Sequence, residues 1–240
     1  MFPYDPVLRA AVRTPPQSVA DVIRILETIA ATCSDGDGLK WFNWLYLQVT
    51  RAVKARIDSG GFADPAWLAQ LDVQFAQLYF GALASALEGK PYAGCWRALF
   101  ESRGRNPVGR IQFALAGINA HINHDLPQAI VVTCRLTTTP PRHGTPHYTD
   151  YTNLNSTLDS LIELAKRELH VRLLGDPLPP VSSLEDIIAA WSIFSAREAA
   201  WKNSELLWHL HDVPPLSSNL MNTLDGLATV AGKALLAPVP

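Results

Sequence analysis

One run in the chain concentrates groups able to move protons or hold an ion: Gly117-Ile118-Asn119-Ala120-His121-Ile122-Asn123-His124-Asp125-Leu126-Pro127. On a helix, residues three and four apart share a face. His121 therefore aligns with Gly117 and Asp125, and His124 stands beside it. An imidazole and a carboxylate four apart can ligate one metal ion, or the carboxylate can orient the imidazole as an acid–base pair. Asn119 and Asn123 add polar groups to a segment that is strongly apolar upstream. Such side chains are costly to bury without partners. His121, His124 and Asp125 are thus the expected catalytic residues, converging on a concave pocket, with Asn119 toward the substrate. The alternative is that these groups cap a kink before Pro127, whose ring crowds the preceding turn and predicts a kink or break there.

Two other groups deserve the same weighing. The stretch Arg142-His143-Gly144-Thr145-Pro146-His147-Tyr148-Thr149-Asp150 places two histidines and a carboxylate at a spacing compatible with metal ligation. It also reads as a solvated loop. The expected metal ligands are His121 and Asp125, joined by His143 and His147, around one divalent ion such as zinc, manganese or iron. Further on, Trp191, Phe194, Arg197, Glu198, Trp201, Glu205 and Trp208 follow one another at helical spacing. An arginine among aromatics can clamp an anion or stack on a planar ligand. More often such a stripe is core, with the arginine paired to a buried acid. Asp72, on the stripe of Leu68, Phe75 and Tyr79, is the expected partner, and Asn43 a weaker one. If these groups line a pocket, Asp72, Arg197 and Trp201 are its substrate-binding residues.

The elements that must position these groups read as helices. Apolar residues recur at helical spacing from Ser18 to about Cys33, Leu39 to Ile57, Asp64 to Leu87 and Ala93 to Ser102. Pro107 is expected to open the helix that carries the cluster. Ala129 to Leu136 is β-branched, yet no partner strand is visible, so a continuing helix is favoured. Further helices follow at about Asn155 to Leu174, Ser183 to His211 and Ser217 to Leu236. Ser183 with Asp186 resembles a capping box, and Gly175 to Pro180 is a connector. The expected fold is all-α: a single domain over 1–240, an irregular or orthogonal bundle of roughly seven to eight helices. An extended N-terminal arm covers 1–16 and a long loop 137–153.

Composition removes several classes of function. Lys and Arg total 20 against 22 Asp and Glu, and no basic run appears, which argues against nucleic acid. The three cysteines, Cys33, Cys95 and Cys134, form neither a disulfide framework nor a zinc ribbon. No stretch reaches the roughly 18 apolar residues of a membrane span. The proline-bearing stretch Met1 to Pro16 is not expected to act as a signal peptide, and a reducing cytoplasm is the expected setting. There is no phosphate loop, dinucleotide fingerprint or serine-hydrolase elbow.

The segment Leu115 to Ala129, with Phe42, Asn43, Tyr46 and the helix of Phe75, Ala76 and Tyr79, resembles a family of uncharacterised bacterial proteins frequent in actinobacteria. These carry a G-I-N-A-H-I-N-H-D-L-P signature. The resemblance implies a helical domain and no settled activity. More distantly, His121 and Asp125, four apart and followed by Pro127 and Gln128, resemble the helix of zinc-dependent phospholipases C and nucleases. There such a pair binds zinc. Val131 stands where a further histidine ligand would be expected, and the chain begins Met1-Phe2 in place of the tryptophan ligand.

These observations lead to an enzyme acting on a small organic metabolite. With a metal at His121 and Asp125 the expected chemistry is hydrolysis; without one it is that of a cyclase, lyase or isomerase. The competing class is a non-catalytic helical module that binds a ligand or partner.

Overall fold

The computed structural model describes residues 2–105, 108–171 and 193–237. The Gly175–Pro180 connector, the Ser183–Asp186 capping pair, Trp191 and the Pro107 helix start lie outside the described residues. Within them the protein is all-α, with no strand. The helices are α1 (Asp5–Val12), α2 (Val19–Thr32), α3 (Gly38–Asp58), α4 (Pro65–Leu87) and α5 (Gly94–Ser102). Next come α6 (Arg110–Ala120), a π-helical turn (His121–Asp125) and α7 (Leu126–Leu136), which form one continuous helical run. α8 (Pro146–Asn153), α9 (Asn155–Val171), α10 (Ile193–His209) and α11 (Pro214–Leu235) complete the order.

Local chemistry sets the helix starts. Ser18, Asp37, Asp64 and Thr145 each accept a hydrogen bond from a backbone N–H in the first turn of the following helix. Proline follows at the start of α4, α8 and α11. Side-chain caps satisfy donors that have no intrahelical acceptor, and proline there loses nothing because its missing N–H would be unpaired anyway.

Two expectations are corrected by the same chemistry. Residues 1–16 are not an extended arm throughout: Asp5-Pro6 opens α1, and Leu8 and Val12 bury one face of it. Residues 137–153 are not one long loop: Thr145-Pro146 starts α8, leaving a connection over 137–145. The β-branched Ala129–Leu136 stretch continues as helix, as expected.

The α6–π–α7 run is the axis of the fold. Every residue from Ile111 to Ala120 is buried, as in a helix surrounded on all sides. α3, α5 and α11 pack on α6, while α4 and α10 pack on α7. A core cluster of apolar side chains runs from Leu8 of α1 to Leu235 of α11. A close approach in this axis is at Gly117, where a Cβ would overlap the Phe42 ring of α3. Gly117→Ala should therefore destabilise the protein by about 1–3 kcal/mol, the usual cost of forced overpacking. Thermal unfolding checks this, and an unchanged midpoint would show that Phe42 can step aside.

Candidate active site around His121

Pro127 does not break the helix. The turn before it widens instead: the backbone N–H of Leu126 bonds to the carbonyl of His121, five residues back. Such π turns are rare and often occur at functional sites. Here the widened turn gathers its side chains around Asp125. His121 Nδ1 lies 2.9 Å from Asp125 Oδ2, and His124 Nδ1 lies 2.8 Å from Oδ1. Trp96 Nε1 of α5 donates to Oδ2 at 3.1 Å. Burial pushes the Asp125 carboxyl up, but hydrogen bonds from His121 and His124 outweigh it and leave it lowered. An ionised carboxylate only accepts, so both imidazoles carry their protons on Nδ1. Burial depresses His121, partly offset by Asp125. The ring is neutral at pH 7, with the lone pair on Nε2.

That lone pair sits in an aromatic chamber. The His121 ring stacks on Phe75 of α4, with centroids 3.4 Å apart and planes 6° apart. Tyr46 of α3 meets it edge-on at 4.7 Å. His121 and Tyr46 line a cavity of about 60 Å³ together with Phe42, Ile118, Leu161 and Arg197, among others. A second cavity, of about 50 Å³, adjoins it by sharing Tyr46, Phe75, Leu158 and Arg197, and adds Asp72 of α4. Three residues that line these cavities each carry a buried polar atom with no hydrogen-bond partner among the described residues: His121 Nε2, Tyr46 Oη and Asp72 Oδ2. Burial holds the Tyr46 hydroxyl well above its usual range, with the nearby Asp72 and Asp125 adding to the effect and Thr50, one turn along α3, opposing it. Burial alone raises Asp72 to about 7. At neutral pH the lining residues thus include a neutral imidazole, a neutral hydroxyl and a carboxyl raised into the neutral range.

The other expected site residues are distributed differently. His124 and Asp125 do not line these cavities; His124 faces α5 and α11, close to Cys95 and Asp225. Asn119 ties α6 to α11, donating to the Ala228 carbonyl at 2.7 Å and accepting from Asn123. Arg197 lines both cavities but is not paired with Asp72. Its Nε donates to Asn155 Oδ1 at 2.8 Å and its Nη2 to the Tyr151 carbonyl at 2.7 Å, holding the α8–α9 junction against α10. Asn43 bonds the Leu26 carbonyl instead. Trp201 is core, packed on Tyr151 and Tyr148, with Nε1 toward Glu205.

His143 and His147 are not brought to His121. Glu205 and Glu198 hold the two ring nitrogens of His143 at 2.7 and 2.9 Å. His147 stacks on Trp67 and bonds Asp64, the capping residue of α4. Both imidazoles therefore fasten the 137–153 segment to α10 and α4. The cavity residue missed by sequence reasoning is Tyr46. It sits on the apolar stripe of α3, and nothing in the sequence separates it from a core tyrosine.

The fold and site together define an all-α protein with a carboxylate-held histidine inside a small aromatic cavity. The chain belongs to the family of unknown function DUF5995, whose model matches residues 19–238. No curated protein and no solved structure matches it. No helix among the described residues is long and apolar enough to cross a membrane.

Proposed function

We propose that this protein is an enzyme that moves a proton at the carbon next to a carbonyl in a small, mainly apolar organic molecule. This is the chemistry of an isomerase, lyase or cyclase. The observation that carries the proposal is the set of three unpartnered buried atoms, His121 Nε2, Tyr46 Oη and Asp72 Oδ2, carried by residues that line two adjoining cavities. Each costs stability where it stands, and such costs gather at sites kept for function. His121 Nε2 is the base: it takes the α-proton while the electron pair moves to the carbonyl oxygen. Tyr46 and protonated Asp72 are hydrogen-bond donors for that developing enolate, a pairing suited to holding its charge in a dry site. The imidazolium then returns the proton to carbon, and Asp125 steadies the ring through Nδ1.

The likeness of His121 and Asp125 to the zinc-binding pair of the phospholipase C helix suggests the alternative of a hydrolase with a metal at those two residues. What favours proton transfer is that Asp125 Oδ2 already accepts from both His121 and Trp96, so the pair faces inward on itself. The cavities are smaller than the roughly 150 Å³ that encloses benzene. The substrate's reacting end must therefore be small, or Leu158 and Leu161 of α9 must yield to admit it. The test needs no known substrate. Small ketones and aldehydes are incubated with the protein in deuterium oxide and followed by proton NMR for loss of α-hydrogen signal. Enzyme-dependent exchange with at least one compound is the expected result. No exchange above the buffer rate across the panel would remove the reading.

A further inference from the structure

The second histidine of the π turn belongs to a different constellation. Cys95 of α5, His124 of the π turn and Asp225 of α11 each present one ligand atom, and these atoms all lie within 4.8 Å of one another. From these three residues we infer a site for one zinc ion outside the His121 cavity, with Asp125 bonded to the histidine of each.

Several features of the protein fit zinc. A thiol, an imidazole and a carboxylate together favour it over magnesium or calcium, which take oxygen ligands. Donors arranged tetrahedrally around zinc lie roughly 3.3–3.8 Å apart, so the trio closes by about 1 Å to take the ion. His124 is already oriented for this. Its Nδ1 is engaged by Asp125 Oδ1 at 2.8 Å, which leaves Nε2 as the ligating nitrogen. A carboxylate behind a ligating histidine fixes its tautomer and raises its basicity.

Asp225 is seated as firmly. Its two oxygens accept the backbone N–H groups of Gly94 and Cys95 at 2.9 and 2.7 Å, and the Cys95 thiol bonds to the same carboxylate, a proton the ion would replace. Gly94 permits that approach, since a Cβ there would stand 2.9 Å from Asp225 Oδ2. Cys95 is fully buried, whereas His124 and Asp225 keep partial exposure, so the ion has a way in. On binding, Cys95 releases its thiol proton to solvent and ligates as thiolate. Three protein ligands leave a fourth position for water.

The test uses the full chain, stripped with a chelator and titrated with cobalt(II), whose thiolate complexes absorb in the near ultraviolet. One equivalent of cobalt should produce that absorption, and one equivalent of zinc should abolish it. Cys95→Ser should lose the absorption, while Cys33→Ser and Cys134→Ser keep it. His124→Gln should weaken zinc binding by more than the about 10–100-fold that follows loss of a group merely supporting a ligand. Helical circular dichroism of each variant verifies folding. Should Cys95→Ser fail to fold, His124→Gln decides alone, since its side chain reaches solvent. No thiolate absorption with the parent, absorption that persists in Cys95→Ser, or unchanged zinc affinity in His124→Gln would each overturn the site.

Discussion

Replacing Asp72 with asparagine should remove a pH dependence of stability worth about 4 kcal/mol. The carboxyl titrates near 3.8 in the unfolded chain and about 7 in the folded one, raised by burial. Between those values the unfolded state gives up its proton while the native state keeps it. Stability from this group therefore falls as pH rises from about 4 to 7, and stays low above that. The gap between 3.8 and about 7, at about 1.4 kcal/mol for each tenfold change, gives the magnitude. Urea unfolding of both proteins at about pH 4, 6 and 8 reads it directly. The asparagine variant should gain on the parent by about 4 kcal/mol between the first and last conditions. Parallel profiles would show that Asp72 is solvated or paired and does not face a dry cavity.

The second large effect is on rate. For any carbonyl compound that exchanges its α-hydrogen, His121→Gln should slow exchange by about 10²–10⁴-fold, the usual contribution of a positioned general base. Glutamine can still donate to Asp125 but offers no basic nitrogen. Tyr46→Phe should also slow exchange, yet it removes an unpartnered buried hydroxyl and should leave stability equal or higher. Exchange that survives His121→Gln at the parent rate would assign the base elsewhere. The two variants thus separate catalysis from packing, because a purely structural hydroxyl would lose stability on deletion.

How much of this was legible in the sequence depended on distance along the chain. The His121–Asp125 contact follows from a spacing of four, and the helical periods of α2 to α5 are plain in their apolar residues. α8 was legible in principle: Thr145-Pro146 repeats the cap-then-proline logic that marks Asp64-Pro65, but surrounding prolines and glycine masked it. α1 begins with Asp5-Pro6, again hidden by nearby prolines. The π turn was not legible, because its cause is a compromise between Pro127 and the packing of α4, α10 and α11 around it. It redirects His124 away from His121, which an ideal α-helix would keep on one face. Asp225 stands about 100 residues from His124 and about 130 from Cys95, so their meeting is a tertiary fact without local spacing. The loop histidines misled for the opposite reason. Their spacing suits a metal, but Glu198, Glu205 and Asp64 sit opposite them, and those partners are distant in sequence.

The central claim is that His121 presents an unprotonated Nε2 to the cavity, and nitrogen-15 NMR of the ring measures that atom. In protein labelled at histidine, His121 should show its proton on Nδ1, held by Asp125, and a bare Nε2. Burial lowers its pKa, so this neutral form should persist from about pH 8 to below 6.5. The unfolded chain protonates first as pH falls, so stability from this group is lost in the same acid range. A proton found on Nε2 at neutral pH, or a ring that titrates near 6.5 as a solvated histidine does, would contradict the account.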